Sequence, residues 1–273
     1  MKVFYRISDH GYDKQKLPGS SHQVCLSNFI EVFGTEDMLL IADNCDKEET
    51  TRLLKNNNVT TIFTNNGNAG SLIYSIKHAI DTCSSNENEV VYFVEDDYLH
   101  LPQARDMLLE GIKHADYVTL YDHPDKYTNE YNYGESSKVI RTNNSHWRYT
   151  VSTCMTFATT VKIIKEDIKI WEEFTAEKHP WDHEIFSGLA AKTRKLAVSI
   201  PGAACHIDLT YSGKAGVVLI EPWAVEMMIE LLENKVNEIN DQGFKDLKEK
   251  VLVNNPQGWQ RLISLDSLLY AIK

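Results

Sequence analysis

The stretch VVYFVEDDYLH, residues 90–100, constrains the fold of this chain more than any other. Val90 to Val94 are apolar at every position, so both faces of an extended backbone would be buried there. That is the pattern of a central strand in a parallel sheet covered by helices. The run then closes on Glu95, Asp96 and Asp97, three adjacent carboxylates that repel one another. A buried strand ending in such charge is expected to face a positive partner.

Other short apolar runs supply neighbours for that strand. VFYRI (3–7), MLLIAD (38–43), TIF (61–63), YVTLY (117–121), YTVSTCMTFA (149–158) and LAVSI (196–200) read as strands. Between them SLIYSIKHAIDTC (71–83) puts Leu72, Ile73, Ile76, Ala79 and Ile80 on one stripe, and 104–114 and 161–174 are also amphipathic. Alternation of this kind predicts an α/β fold with a mostly parallel central sheet. From Glu221 onward the pattern turns helical. The expected organisation is a catalytic unit over 1–215, with halves at about 1–100 and 101–215, and a C-terminal helical appendage over 216–273.

Composition limits the function classes. The 28 basic and 39 acidic residues leave a net charge of −11, which disfavours a nucleic-acid partner, although a local basic patch stays open. No run reaches the roughly 18 apolar residues of a membrane span. Lys2, Arg6 and Asp9 interrupt what would be the apolar region of a secretion signal. Five scattered cysteines (25, 45, 83, 154, 205) with no C-x-x-C pair read as reduced thiols, so a cytoplasmic protein is expected. Self-association into a homo-oligomer is left open.

The usual nucleotide signatures are missing. SDHGYDKQKLPG, after the first strand, holds no G-x-G-x-x-G; GLAAKT (188–193) lacks the glycines of a P-loop; no Cys/His cluster has zinc spacing. What remains is the acidic strand end. Residues at i and i+2 of an extended chain point the same way, so Glu95 and Asp97 can share one focus. Hard carboxylate oxygens suit Mg²⁺ or Mn²⁺, ions that leave positions open for substrate phosphates.

In the order of its motifs the chain resembles the nucleotide-sugar-dependent glycosyltransferases of the GT-A fold, closest to the family-2-like group. IADNCDKEET (41–50) resembles the family's second-strand segment and NNGNAGSLIYSIKHAI (65–80) the Asn/Gly segment before the metal strand. VEDDYLH resembles its D-x-D metal motif, with Glu95 where many relatives have Asp. HPWDHEIFSGLA (179–190) resembles the acidic helix start, and PGAACHI (201–207) supplies a late histidine. The resemblance covers roughly residues 3–210 and implies a GT-A-type, Rossmann-like sandwich.

It further implies a nucleotide-diphosphate sugar donor, a saccharide or other hydroxyl acceptor, and a bound Mn²⁺ or Mg²⁺. Asp97 would be the first metal ligand, with Glu95 or Asp96 second and His206 completing the site. Arg6, Asp43, Asn68, Glu95 and Asp96 would contact the donor, Asp43 serving as base or ribose contact. Asp182 would be the catalytic base of an inverting transfer, with Glu184 in reserve. Arg141, His146, Trp147 and Arg148 cluster before a strand; a guanidinium fork reads phosphate and an indole offers a flat face, which points Arg148 and Trp147 at substrate. Trp181 reads as an acceptor wall or a core anchor. Lys14 and Lys16, in the loop after the first strand, are candidates to assist the phosphates but read rather as a solvated loop, and Tyr211 and Lys214 as a closing segment or a plain loop. The alternatives are a nucleotidyltransferase of the same fold class, and a catalytically inactive sugar-binding relative.

Overall fold

The computed structural model describes residues 1–9, 16–17, 19–54, 57–123, 126, 138–208 and 221–238. Nine strands form one sheet: β1 (Lys2–Ile7), β2 (Met38–Asp43), β3 (Thr60–Thr64), β4 (Val90–Glu95), β6 (Tyr117–Thr119), β7 (Val139–Arg141), β8 (His146–Thr150), β9 (Phe157–Thr160) and β10 (Leu196–Ile200). Their order is β3-β2-β1-β4-β9-β6-β10-β8-β7. The pairings β3–β2–β1–β4 are parallel, as is β6–β10, while β9 and β8 run against their neighbours. The α/β class and the mostly parallel central sheet expected from the sequence are therefore present. A two-stranded sheet of β5 (Tyr98–His100) and β11 (Ala204–His206) is set beside the end of β4.

Burial follows the two-sided pattern of the strands. Tyr5, Tyr92 and Val94 join one core, with Phe29 and Phe33 of α1 (His22–Phe33) and Leu108 of α4 (Ala104–Gly111). Phe4, Val91 and Phe93 face the other way. They pack with Ile76 of α3 (Gly67–Thr82), Ile164 of α5 (Val161–Glu166), Trp171 of α6 (Ile168–Phe174) and Phe186 of α7 (Asp182–Ala191). A third core joins Leu17, Cys25 and Leu99 to Ala224, Met228 and Leu232 of α8 (Pro222–Glu238). The part of the expected appendage that is described thus packs onto the α/β body; the remainder of 216–273 lies outside the described residues.

Two element expectations are corrected. The run 149–158 is not one strand: β8 ends at Thr150 and β9 begins at Phe157, on the far side of β6 and β10. The helix over 161–174 is broken at Asp167, whose carboxylate accepts from Arg194 Nε (2.7 Å) and the Tyr117 hydroxyl (3.0 Å). Helix α1 and helix α2 (Lys47–Leu54) were not anticipated. The first is capped by Ser21, whose side chain accepts from Val24 N–H (3.2 Å), and stops at Gly34 with φ +74°.

Candidate active site

The parallel strands β1, β2 and β4 open at their C-terminal ends into a cleft of about 630 Å³. Open α/β sheets bind ligands at this edge. Arg6, Asp43, Asn68, Glu95, Asp96, Asp97, Asp182 and His206 all line it. Residues spread over two hundred positions of sequence are thus gathered at one end of the sheet.

Asp97 and His206 meet through the small sheet. Tyr98 is the register partner of His206, and Ile207 N–H donates to the Asp97 carbonyl (2.9 Å). The imidazole Nε2 is then 2.8 Å from Asp97 Oδ2, and its ring stacks on Tyr98 at 4.8 Å between centroids. Burial works against a charged His206, but the Asp97 charge and hydrogen bond, with Glu95 nearby, raise its pKa overall. Among the described residues, no group of three or more His, Cys, Asp or Glu is placed to hold a metal ion. One carboxylate and one imidazole are nonetheless a suitable donor set for Mn²⁺ or Mg²⁺, since such ions commonly take one or two protein ligands and fill the rest with water and substrate phosphate.

Glu95 is engaged elsewhere. Its Oε1 takes a 3.0 Å ion pair from Arg6, whose other terminal nitrogen donates to Asn68 O, Asn68 Oδ1 and Ser71 Oγ at 3.1–3.2 Å. Arg6 is only 5% exposed and thus ties β1, β4 and the start of α3 together. Burial raises the Glu95 pKa while Arg6 opposes it. Asp96 Oδ2 accepts from Ser8 N–H (3.0 Å) and sits 2.7 Å from His22 Nδ1, a contact that raises the His22 pKa.

Asp43, expected as base or ribose contact, has its carboxylate taken up by the protein. Oδ1 accepts from Thr64 Oγ1 and Asn66 N–H, both at 2.7 Å; Oδ2 accepts from Asn44 Nδ2 (2.7 Å) and Gly67 N–H (2.9 Å). The loop that opens α3 is built on it. Gly67 has φ +75°, a backbone conformation that suits glycine.

Asp182 begins α7 and faces the cleft, with Oδ1 accepting from His183 N–H (3.1 Å). Burial raises its pKa. Glu184, the reserve base, is exposed and does not line the cleft. Trp181 is 48% exposed beside Asp182 and is not a core anchor.

The structure does not bring the RTNNSHWRYT cluster to the cleft. Trp147 is fully buried against Gly111 and its indole N–H donates to Thr142 Oγ1 (3.1 Å). Arg148 Nη2 pairs with Asp122 at 2.7 Å, outside the cleft. Their substrate roles are replaced by packing and a local ion pair. Lys14, Tyr211 and Lys214 lie outside the described residues. Sequence reasoning missed His22, Lys178, His179, Cys154 and Met155, which also line the cleft, and set Lys16 aside. Only HPWD, adjacent to the expected base, carried any signal for His179.

No protein-family model and no curated protein matches this chain. Solved structures similar to it include S. aureus TarS 1–349, at 16% identity over 90% of this chain and 69% of that one, with a TM-score of 0.48. The galactosyltransferase LgtC, in complex with donor and acceptor sugar analogs, is 8% identical over 72% of this chain and 73% of its own, with a TM-score of 0.40. A nucleotidyl transferase from Methanothermobacter is 10% identical over 72% of this chain and 87% of its own, also at 0.40. Sugar and nucleotidyl transferases thus both stand among the neighbours. Likeness at these scores carries no residue roles, and what the cleft does is read from its own side chains. No helix among the described residues is long and apolar enough to cross a membrane.

Proposed function

We propose that this chain is a metal-dependent glycosyltransferase that moves a sugar from a nucleotide-diphosphate donor to an acceptor hydroxyl with inversion. One observation carries the reading: the Asp97–His206 pair and the half-buried carboxyl group of Asp182 share one cleft at the end of β4.

Asp97 and His206 are the residues that would hold Mn²⁺ or Mg²⁺. When bound, such an ion offsets the negative charge that builds on a departing diphosphate. Glu95 stays with Arg6 and fixes the end of β4, while Asp43 shapes the α3 loop as the floor of the donor site. Asn68 and Asp96 line the same cleft and belong to the donor side in this reading.

Asp182 is the base. Its carboxylate oxygen takes the proton of the acceptor hydroxyl as the hydroxyl oxygen bonds to the anomeric carbon; the bond from that carbon to the diphosphate oxygen breaks on the opposite face, and the diphosphate leaves with its electron pair. Removal of the hydroxyl proton in the transition state contributes 10²–10⁴-fold in such reactions. The raised pKa of Asp182 strengthens it as a base and moves it toward the operating pH.

Turnover of a nucleotide-sugar substrate by Asp182→Asn and Glu184→Gln tests this assignment. The first should lose about 100-fold or more while still binding donor, and the second should stay near wild type. Near-normal turnover by Asp182→Asn would remove Asp182 from the chemistry.

A further inference from the structure

We infer that Lys16 and His22 form a phosphate-binding corner in the cleft, which takes the diphosphate of the donor. This rests on the glycosyl-transfer reading for its ligand but on separate residues for its geometry.

The observation is a three-member chain. Lys16 Nζ lies 3.4 Å from His22 Nε2, and His22 Nδ1 lies 2.7 Å from Asp96 Oδ2, which also accepts from Ser8 N–H at 3.0 Å. All four residues line the cleft. An imidazole nitrogen is oriented by the bond its other nitrogen makes. Asp96, itself pinned by a backbone N–H, therefore turns His22 Nε2 toward Lys16, and the two groups converge on one point. Their backbones are fixed independently. Lys16 bridges Asp208, and Leu17 N–H donates to Ile207 O (2.7 Å); His22 opens α1 behind its Ser21 cap.

The charge of the cleft says why a diphosphate would need this corner. Glu95, Asp96, Asp97, Asp182 and Asp208 line it as well as Asp43. A diphosphate entering among carboxylates needs cationic donors of its own. Arg6 is largely committed already: Nη1 donates to Asn68 and Ser71, Nη2 pairs with Glu95, and Nε, which has no partner among the described residues, is buried. A lysine ammonium binds phosphate as a compact point charge. His22 Nδ1–H is held by Asp96, so His22 donates to phosphate through Nε2 once that nitrogen also carries a proton; Lys16 Nζ and that Nε2–H can then contact one phosphate oxygen or two neighbouring ones. The 3.4 Å Lys16–His22 contact would open to admit it.

Calorimetric titration of the full chain with inorganic pyrophosphate, UDP and GDP in Mn²⁺ tests the inference. Lys16→Gln and His22→Gln should each weaken pyrophosphate and at least one nucleoside diphosphate about tenfold, with unchanged unfolding midpoints, and Lys16→Arg should restore binding. Glycerol 3-phosphate, standing for a phosphorylated acceptor, should bind wild type more weakly than pyrophosphate. Three results would overturn the assignment: unaltered pyrophosphate affinity in both variants, no binding by wild type, or glycerol 3-phosphate binding as tightly as pyrophosphate with the same losses. Asp97→Asn separates the two readings. If it and EDTA are harmless while Lys16→Gln weakens binding, the metal assignment fails and the corner stands; the reverse pattern sinks the corner alone.

Discussion

Replacing Asp43 by Asn separates a scaffold role from a ligand role at a position where sequence and structure differ. The carboxylate accepts four hydrogen bonds, and each oxygen takes one backbone N–H: Asn66 on Oδ1, Gly67 on Oδ2. An amide has one accepting oxygen, so either orientation turns its NH₂ against one of those N–H groups. The variant therefore loses at least one charge-assisted bond, about 1.5–3 kcal/mol, and leaves a buried donor unmet, about 1–3 kcal/mol. Asp43 is only 3% exposed, so water offers little relief. A loss of about 3 kcal/mol follows, more than a hundredfold in the folding equilibrium at 1.4 kcal/mol per decade. Urea unfolding followed by circular dichroism should show a lower midpoint at unchanged slope. A variant within about 0.5 kcal/mol of wild type that no longer binds nucleotide would refute the reasoning and return Asp43 to the ligand.

Other substitutions probe the rest of the account. Trp147→Ala removes a fully buried indole packed on Gly111 and should cost about 3–5 kcal/mol; if it folds normally and only raises a Michaelis constant, Trp147 belongs to substrate after all. His100 is buried with Nε2 2.7 Å from the Tyr92 hydroxyl, and burial depresses its pKa to about 3. Below about pH 6.5 the unfolded chain binds a proton there that the native chain does not, so stability should fall as pH drops from 6.5 toward 3, by about 1.4 kcal/mol per unit. His100→Gln should flatten that slope by one proton, and identical slopes in acid unfolding series would contradict the burial argument. Because burial raises the Asp182 pKa and the base must be ionised, the acid limb of the turnover profile should lie above the ordinary aspartate value of 3.8; a limb at or below it would argue against Asp182.

The sheet was legible because its signal is local. Five apolar residues at 90–94 can be satisfied only by burial on both faces, and Tyr92 and Phe93 do enter opposite cores. The acidic strand end, the histidine after β10 and the acidic start of α7 were likewise visible as short patterns. The failures are non-local. Nothing within RTNNSHWRYT tells that Gly111, thirty-six residues earlier, leaves the gap that Trp147 fills, or that Asp122 waits for Arg148. The four donors around Asp43 come from two separate segments, so the sequence offers an acid but not its occupancy. His22 was missed because a lone histidine at a helix start has no pattern; only the fold brings Asp96 to it from seventy-four residues away.

The most direct test of the central claim is the identity of the released phosphate product. Purified chain is incubated in Mn²⁺ with a panel of nucleotide-diphosphate sugars and candidate saccharide acceptors, and in parallel with nucleoside triphosphates and sugar 1-phosphates. Glycosyl transfer should appear as acceptor-dependent release of a nucleoside diphosphate from one donor. That release should be lost with EDTA, with Asp97→Asn and with Asp182→Asn, and proton NMR should find the anomeric configuration inverted. Release of pyrophosphate from a triphosphate and a sugar phosphate, with no nucleoside diphosphate from any donor, would contradict the account and make the chain a nucleotidyltransferase.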